Sequence, residues 1–543
     1  MVVQNHLFKR GDFVTLEDGS VAQIIDYIAT GGQGEVYRVN CGGESFALKW
    51  YYNPDYSKKN NIHYYNNLSK LVKFVNSSNN WFKGKLTLPL KLTREDENGH
   101  YGFIMNLIPQ EMVPMTDVLS GRKNFDSGEA VIRACRNISS NVGLFHTKYK
   151  KSFMDINDGS IFFNLKTGDV MICDCDNIAA DEEITTTIGK MGYMAPEICL
   201  GTKKCSIQSD LHSLAVILYT LLMRDKPFEG KATSGIMDRE HEIEVYGKHP
   251  VFVFDPNNNS NRPRDQSVED AWNNEINVDV RELFITTFTE GLKDPSKRIK
   301  SSDWNSAFEY WLEGMENEDP FTSMPVLKPV PKRIQIVIFV IDSSDSMKGT
   351  KMEEVNKAIM NCIPDLANFE SNNFDTKFEI DLLQFSRECQ WSNEKPMPLS
   401  EFEFKKLETT GPATKFEKAC MELDKNLVNG RFLDQNRPYR RPIIILLSDG
   451  VAIDYEDYLD ELKKNKNFAK SIKVAIGIDD EKSKSSLTML KNFTGDEDYV
   501  IKTDKIRGRL AELIHNMTIQ VSRASITEQN DEAIKKAIVQ FKR

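Results

Sequence analysis

The chain has 543 residues, more than one hydrophobic core usually holds, so two or three domains are expected. With 40% hydrophobic residues, 28% charged residues and a formal net charge of −10, the composition is that of a globular protein and argues against binding to nucleic acid or an anionic membrane. The nine cysteines lack paired CxxC spacing, which argues against a disulfide framework and a zinc site. No apolar run reaches the ~20 residues of a membrane span, which argues against a membrane anchor. Both observations favour a cytoplasmic location.

A glycine-rich segment lies near the N-terminus, after a predicted hairpin over residues 14–22. Gly31, Gly32 and Gly34 come close together, and Lys49 follows on the next strand-like stretch. Such glycines let backbone N–H groups approach phosphate oxygens, and a lysine on the following strand can reach the α and β phosphates. Glycine-rich hairpins also serve turn geometry, so this segment alone leaves both a nucleotide site and a plain turn open.

Further along, four short segments with functional residue types follow in order. Residues 153–160 contain Asp155, residues 172–176 contain Asp174, residues 192–197 end in Ala-Pro-Glu, and Ser209-Asp210 opens an apolar helix that runs to Leu222. Each segment could also have a purely structural role, because an aspartate can be a solvated loop acid and Ala-Pro-Glu can begin a helix. The joint order and spacing of the four segments favour a catalytic role over these structural alternatives.

Together these segments resemble eukaryotic-like Ser/Thr protein kinases over roughly residues 20 to 312. The resemblance implies an α+β bilobal fold, ATP with Mg²⁺ or Mn²⁺ as cofactors, and a protein substrate. It implies that Asp155 orients the substrate hydroxyl and accepts its proton, that Asp174 ligates the metal, and that Arg298 pairs with Glu197. The residues it places at the nucleotide and its metal are Gly31, Gly32, Gly34, Val36, Ala47, Lys49, Ser160 and Asp174.

Two departures from the kinase pattern concern the nucleotide site. Ser160 stands where the family has an asparagine for a second metal ion, and no glutamate occurs between Trp50 and Asn80 to pair with Lys49. A nucleotide-binding pseudokinase that acts as a signalling scaffold is therefore the alternative to an active kinase.

Three other departures lie around the catalytic aspartate. Met154 replaces the arginine that pairs with a phosphorylated activation loop, so activation by loop phosphorylation is not expected. Asn157 replaces the lysine two residues after Asp155, and Lys190 replaces a threonine before the Ala-Pro-Glu triplet. Since these two positions meet across the site in the family, we hypothesise that Lys190 supplies the missing cation; a solvated surface lysine is the alternative.

An insert over residues 246–263 is similar to that of a bacterial kinase group. That group is found beside von Willebrand factor A proteins and PP2C-type phosphatases in tellurium-resistance and related stress-response or defence modules.

Four prolines punctuate a charged stretch between residues 316 and 333, which predicts an extended linker. After it, strand-like runs at 334–341, 378–385, 443–447 and 472–478 alternate with helix-like segments at 351–366, 455–464 and 505–521. This alternation predicts βαβ units and a parallel sheet covered on both faces. The predicted organisation is a first domain over 1–315, a linker over 316–333, a second domain over 334–525 and a charged tail over 526–543.

The apolar run over residues 334–341 is followed directly by an Asp-x-Ser-x-Ser pentad that contains Asp342, Ser344 and Ser346. Thr414 follows in a loop, and Asp449 ends another apolar run. One carboxylate with two hydroxyls at the carboxyl end of a strand makes a small oxygen-lined cup that suits Mg²⁺. Taken alone, the pentad is as consistent with a helix cap as with a metal site, because Asp and Ser are favoured at the first position of a helix.

These five residues resemble the metal-ion-dependent adhesion site (MIDAS) of von Willebrand factor A (VWA) domains. The resemblance implies an α/β Rossmann-like second domain in which all five surround Mg²⁺, with one position open for a carboxylate of a protein partner. Asp345 stands where the family has glycine and adds a negative charge beside the cup. The partner expected is a kinase substrate, a PP2C-type phosphatase or another VWA protein, with no nucleic acid and no membrane.

Overall fold

The structure is a computed structural model that describes residues 6–31, 33–179, 189–315, 331–373, 375–434, 437–449, 452, 455–478, 484–502, 510–527, 531–539 and 541. It divides into two compact units. The first comprises Met1–Gly230 with Ile243–Val330, and the second comprises Lys231–Glu242 with Pro331–Arg543. Within these described ranges, no helix combines the length and apolarity that crossing a membrane requires.

The first unit begins with a six-stranded antiparallel sheet in the order β1-β2-β3-β4-β6-β5. Its strands are β1 (Phe13–Thr15), β2 (Val21–Thr30), β3 (Gly34–Cys41), β4 (Glu44–Tyr51), β5 (Pro89–Leu92) and β6 (Gly102–Asn106). The predicted hairpin is confirmed, because Val14 pairs with Ala22 across β1 and β2. Helix α1 (Ile62–Asn76) follows β4, and the Asn61 side chain caps it by accepting from the Tyr64 N–H.

The remainder of the first unit is mainly helical. Short strands β7 (Val113–Pro114), β8 (Ile161–Phe163) and β9 (Val170–Ile172) form an antiparallel sheet. The helices up to residue 230 are α2 (Met115–Leu119), α3 (Gly128–Tyr149), α4 (Pro196–Cys199) and α5 (Ile207–Met223). Helix α5 is buried from Ser209 to Met223, and from Leu214 onward its sequence is almost entirely apolar. It therefore anchors the loops that surround it.

Residues 231–242 then cluster with the second unit and contain strand β10 (Gly235–Ile236) and most of helix α6 (Arg239–Ile243). After this segment, the chain returns to the first unit. The helices that complete that unit are α7 (Gln266–Asn274), α8 (Val278–Phe288), α9 (Glu290–Lys293) and α10 (Ser301–Met315).

The second unit is built on a mainly parallel sheet. Its strands are β11 (Arg333–Asp342), β12 (Thr376–Phe385), β13 (Cys389–Trp391), β14 (Met397–Pro398), β15 (Pro438–Tyr439), β16 (Ile443–Ser448), β17 (Ile472–Gly477) and β18 (Val500–Lys502). Central β11 pairs in parallel with β12 and with β16, and β17 extends the sheet from β16. The four predicted strands are thus confirmed, and Asp342 and Ser448 both stand at carboxyl ends.

Helices cover both faces of this sheet. They are α11 (Thr350–Asn372), α12 (Phe416–Asn426), α13 (Glu456–Lys464), α14 (Lys466–Lys470), α15 (Lys484–Thr494), α16 (Leu510–Thr527) and α17 (Asp531–Val539). Alternate residues of β11 enter two separate cores: Val337 and Phe339 belong to one, Ile336 and Ile338 to the other. This is the period of two expected of a strand buried on both faces.

The C-terminal segment 526–543 contains helix α17. Ala533, Ile534 and Ile538 are buried on one side of it, and the two isoleucines belong to the larger core of the second unit. Their spacing of about one helical turn gives the helix an apolar face despite its charged composition.

The segment 231–242 adds a strand to the edge of the second unit's sheet. Strand β10 pairs in parallel with β15, and the Met237 N–H donates to the Tyr439 carbonyl at 2.8 Å. Glu242 Oε1 lies 2.7 Å from Arg333 Nη1 in a buried ion pair, and Asp238 pairs with Lys470 at 2.8 Å. Because Ile236 also enters a core of this unit, the segment is an integral part of that fold.

Candidate functional site

A cavity of about 550 Å³ lies in the first unit, within the range that holds nucleotide-sized ligands. Val36 of β3 and Ala47 and Lys49 of β4 line it together with Gly31, Gly34 and Asp174. These are the residues expected to contact a nucleotide; Gly32 lies outside the described residues. A Cβ at position 34 would stand 2.0 Å from the Trp50 carbonyl oxygen, so close strand pairing alone requires this glycine.

Lys49 is 7% exposed, and its ammonium has four close oxygen contacts. Nζ lies 2.7 Å from Asp174 Oδ1, 2.7 Å from Gln33 Oε1, and 2.8 and 3.0 Å from the two carboxylate oxygens of Asp176. Burial alone would lower the pKa of Lys49, but the charges of Asp176 and Asp174 outweigh burial and raise it above its usual value. The lysine is therefore a fixed cation at the cavity wall.

Asp174 follows β9 with φ at +57°, a left-handed backbone that costs a non-glycine residue roughly 1 kcal/mol. Its side chain is 47% exposed and borders the cavity, and its Oδ1 contacts the Lys49 ammonium. A carboxylate placed in this way can accept a metal ion, which prefers oxygen ligands.

Asp155 lies in the loop after α3. Its Oδ1 accepts a hydrogen bond from Asn157 Nδ2 at 2.7 Å and from the Lys190 N–H at 3.3 Å. Burial raises the pKa of Asp155 against these two hydrogen bonds. A higher pKa makes this carboxylate a better proton acceptor than an exposed aspartate.

The buried carboxylate of Asp210, in α5, holds this loop in place. Its two oxygens accept from the Phe153 N–H at 2.6 Å and the Met154 N–H at 3.3 Å, and His146 Nε2 lies 2.8 Å from Oδ2. Met154 has φ at +71°, which costs roughly 1 to 2 kcal/mol. Hydrogen bonds to a charged group contribute about that much each, so Asp210 offsets the strain that sets the position of Asp155.

Ser160 takes part in a capping box. Its hydroxyl donates to the Asn157 carbonyl at 2.8 Å and accepts from the Asn157 N–H. Gly159 borders the cavity, whereas Ser160 is 3% exposed. A metal ion at this position would therefore have to share an oxygen that is already engaged with the backbone.

Lys190 lies shortly before the Ala-Pro-Glu triplet and contacts the loop that carries Asp155. Its Nζ stands 2.7 and 3.0 Å from the two oxygens of Asp158, a fully buried carboxylate, while its backbone N–H contacts Asp155. The lysine side chain is 36% exposed. The structure thus brings Lys190, Asp158 and Asp155 together.

Glu197 and Arg298 form a buried bidentate pair, as predicted. Arg298 Nη1 and Nη2 each lie 2.7 Å from one oxygen of Glu197. Arg298 also donates to the carbonyls of Gln208 and Gly291, which satisfies the guanidinium away from water.

Asp176 was not identified from the sequence. Besides Lys49, its carboxylate contacts the phenol hydroxyls of Tyr51 and Tyr64. The signal available in the sequence is a second aspartate two residues after Asp174, where the kinase metal-binding triplet ends in glycine.

The second unit brings four of its five predicted metal ligands together. Asp342 is fully buried; its Oδ1 accepts from the Ser344 N–H at 2.9 Å, and its Oδ2 accepts from Ser448 Oγ at 2.6 Å. Ser344 Oγ lies 3.0 Å from Ser346 Oγ, which donates to Asp449 Oδ1 at 2.7 Å. Burial raises the pKa of Asp342 against its hydrogen bonds to Ser448 and Ser344, and the Asp449 carboxylate adds to this rise.

Thr414 lies in the loop beside this cluster. Gly411 of the same loop bridges with Ser344, and its carbonyl accepts from the Asp345 N–H at 2.8 Å. Among the described residues, the Thr414 hydroxyl makes no hydrogen bond to the other four side chains. Thr410, which the sequence did not single out, lies 2.7 Å from the hydroxyls of Ser343 and Ser386.

The donor set of this cluster fits a hard cation better than a soft one. In the described part of the chain, no group of three or more His, Cys, Asp and Glu side chains could hold a metal ion. Two carboxylates with serine hydroxyls, all oxygen, match Mg²⁺. Asp342 and Ser344 are buried whereas Ser346 is exposed, so the cup opens toward solvent on one side.

Comparisons with known proteins assign a family to each of two long segments of the chain. A family model described as a protein kinase domain matches residues 23–306, which is more than half of the chain, and a model of the von Willebrand factor type A domain matches residues 337–516. The chain belongs to the protein kinase family. It also carries a VWA domain, which contains the oxygen cluster at the end of β11.

Among solved structures, the chain is similar to the kinase domain of PknI from M. tuberculosis. The identity is 14%, the match covers 56% of this chain and 99% of that chain, and the TM-score is 0.38. No curated protein matches the chain.

Proposed function

We propose that this protein is an ATP- and Mg²⁺-dependent Ser/Thr protein kinase whose VWA domain recruits a protein partner through a metal-dependent site. The observation that most supports phosphoryl transfer is the juxtaposition of Lys49 and Asp174, 2.7 Å apart on the wall of one cavity. This provides a phosphate-binding cation and a metal-binding carboxylate on the same wall. Asp155, held by Asp210, provides a base.

Each of these residues has one task in the proposed reaction. Lys49 binds oxygens of the α and β phosphates, and Asp155 orients the substrate hydroxyl and accepts its proton. Asp174 would hold Mg²⁺, with Ser160 as a weaker oxygen ligand at the second position. When bound, the metal neutralises charge on the phosphates. Lys190 lies beside Asp155 and would stabilise charge on the transferring group.

The full chain incubated with Mg²⁺, γ-labelled ATP and a generic protein substrate tests this proposal. Wild type should transfer phosphate to serine or threonine, as identified by phosphoamino-acid analysis, and Asp155→Asn should not. Asp169→Asn, an exposed aspartate near β9, is a control that should match wild type. Phosphotyrosine alone would overturn the Ser/Thr assignment, and equal labelling by wild type and Asp155→Asn would reveal a contaminating kinase.

A pseudokinase is the second candidate, and two observations favour it. Helix α1 carries no acidic residue that could hold Lys49, and the hydroxyl of Ser160 is bonded to the backbone. If wild type binds ATP in a calorimeter but transfers no phosphate with Mg²⁺ or Mn²⁺, the chain acts as a nucleotide-dependent scaffold.

For the VWA domain, Asp342, Ser344, Ser346 and Asp449 would hold Mg²⁺, and Thr414 would complete the ligand set. The open side of the cup leaves room for a carboxylate of a partner. A pull-down from a lysate of the native host should recover that partner in Mg²⁺ and lose it in chelator or with Asp342→Asn. Recovery in every condition, with unfolding temperatures unchanged, would contradict metal-dependent recruitment.

The insert over 246–263 and the fusion to a VWA domain support a role in a bacterial stress-response or defence module of the tellurium-resistance type. In that setting the recruited protein is a kinase substrate, a PP2C-type phosphatase or another VWA protein. Mass spectrometry of the proteins bound only in Mg²⁺ would distinguish these three.

A further inference from the structure

Lys49 needs a fixed carboxylate partner, and helix α1 offers none. Protein kinases hold this lysine with a glutamate from the helix that follows its strand. Here that helix has the sequence Ile-His-Tyr-Tyr-Asn-Asn-Leu-Ser-Lys-Leu-Val-Lys-Phe-Val-Asn, without an acid. A buried ammonium without such a partner would lose its proton or leave the site.

Asp176 supplies the partner from a different direction. Both of its carboxylate oxygens lie within 3.0 Å of Lys49 Nζ, and the residue is 1% exposed. Asp174 touches the same ammonium but is 47% exposed and borders the cavity. Asp176 is therefore held by the lysine and shielded from solvent, whereas Asp174 is accessible to a metal ion.

Two tyrosines hold Asp176 in place. Tyr51 Oη donates to its Oδ2 at 2.5 Å, while Tyr64 Oη lies 3.1 Å from its carbonyl oxygen and 3.3 Å from Oδ2. Tyr64 is on α1, so the helix contacts the lysine only through a neutral hydroxyl and Asp176.

We propose that Asp176 is the positioning residue that replaces the missing helix glutamate, and that Tyr51 and Tyr64 fix its orientation. Lys49 is then set by the same short segment that carries Asp174. Its position is coupled to the metal-binding loop, and α1 contributes a hydrogen bond in place of a charge. The effect of Asp176 on turnover rests on the proposed phosphoryl transfer, whereas its effect on nucleotide binding does not.

Nucleotide affinity tests this role in the full chain. In Asp176→Asn the lysine keeps its burial but loses the carboxylate that contacts it with both oxygens, so binding of a fluorescent ATP analogue should weaken by roughly 10-fold. Asp176→Glu, which keeps the charge, should recover most of that affinity. The variants are compared at matched unfolding temperatures, because a merely structural role would change stability and leave the affinity of the folded protein unchanged.

Turnover is the second readout. Asp176→Asn should lower kcat by roughly 10-fold or more if Lys49 is no longer held for transfer. Asp225→Asn is a matched control: it is buried in the same unit, its pKa is raised by burial to about 7, and it does not border the described cavity. This control should bind and turn over ATP as wild type does.

Two results would overturn the assignment. One is an equal affinity for the ATP analogue in folded wild type and folded Asp176→Asn. If Asp176→Asn does not fold, Tyr64→Phe leaves every charge in place and should still weaken turnover by roughly 2- to 5-fold through a displaced Asp176. Unchanged binding and turnover in Tyr64→Phe would then refute the proposal. Failure of wild type to transfer phosphate, with the loss of nucleotide affinity in Asp176→Asn intact, would refute only the kinase activity.

Discussion

The ammonium of Lys351, at the start of α11, lies 2.5 Å from Oδ2 of Asp449. Asp449 is one of the predicted metal ligands, so a cation of the protein itself contacts the carboxylate that a metal ion would use. The lysine side chain is 30% exposed and can turn away into solvent. A metal ion bound at Asp449 would therefore have to compete with Lys351 for this oxygen.

Lys351→Met should tighten Mg²⁺ binding to the VWA domain. Removing a competing, partly exposed cation is worth up to about 1 kcal/mol, or roughly 2- to 5-fold in affinity. Isothermal titration of the full chain with Mg²⁺, with nucleotide absent, measures the change. Lys357→Met, an exposed lysine on the same helix, is the control and should bind as wild type does. Weaker binding in Lys351→Met would show that Lys351 supports the site instead.

Asp174→Ala should abolish phosphoryl transfer, because it removes the carboxylate expected to hold the metal ion. Lys49 should remain in place, since Asp176 still contacts it with both oxygens. The measurement is labelled-ATP transfer beside binding of metal-free ATP, which should be nearly unchanged. Transfer equal to wild type would show that Asp174 is not the metal ligand.

Lys190→Met should lower turnover by ~10-fold with little change in the KM for ATP, if the lysine stabilises charge at the transferring group. The substitution also leaves Asp158 buried and unpaired, which costs stability. The double variant Lys190→Met/Asp158→Asn separates these effects, because it removes both charges. Its stability should recover while its turnover stays low; recovery of turnover would show that Lys190 serves only to neutralise Asp158.

Asp381→Asn should stabilise the protein near neutral pH. Asp381, in β12, is fully buried, and burial raises its pKa to about 6. Its Oδ2 has no hydrogen-bond partner within the described residues. A folded-state pKa above the unfolded value destabilises the fold increasingly from pH 4 to 6 and fully above that, by about 2 to 3 kcal/mol.

Denaturant unfolding of the second unit's transition at two pH values checks this prediction. The gain from Asp381→Asn should be large at pH 7.5 and small near pH 4, where wild type is protonated. An equal gain at both values would mean that packing and not ionisation determines the effect.

Patterned segments of the second unit were predictable from the sequence. The apolar run at 443–447 became β16, and the period of two along β11 follows from its burial on both faces. The helix predicted at 351–366 extends over Thr350–Asn372, and Pro364 lies inside it. Local pattern determined these elements, since each buries a continuous apolar face.

The features that the sequence did not reveal depend on distant contacts. Strand β10 has two residues, too few for any periodicity, and exists because Tyr439 pairs with it. Asp176 is an ordinary loop aspartate until β4 and α1 place Lys49, Tyr51 and Tyr64 around it. By contrast, the pairing of Glu197 with Arg298 could be predicted because the family motif fixes both positions.

Strand β10 also has a consequence for biosynthesis. Ile236 pairs with Tyr439, which is 439 − 236 = 203 residues later in the chain. At about 5 to 20 residues per second, the ribosome needs roughly 10 to 40 s to deliver that partner. During this interval the segment 231–242 lacks the strand with which it pairs. Glu242 also lacks its ion-pair partner until the chain reaches Arg333. Nascent chains that stall before residue 437 would therefore expose Ile236 and Met237, which the complete fold buries.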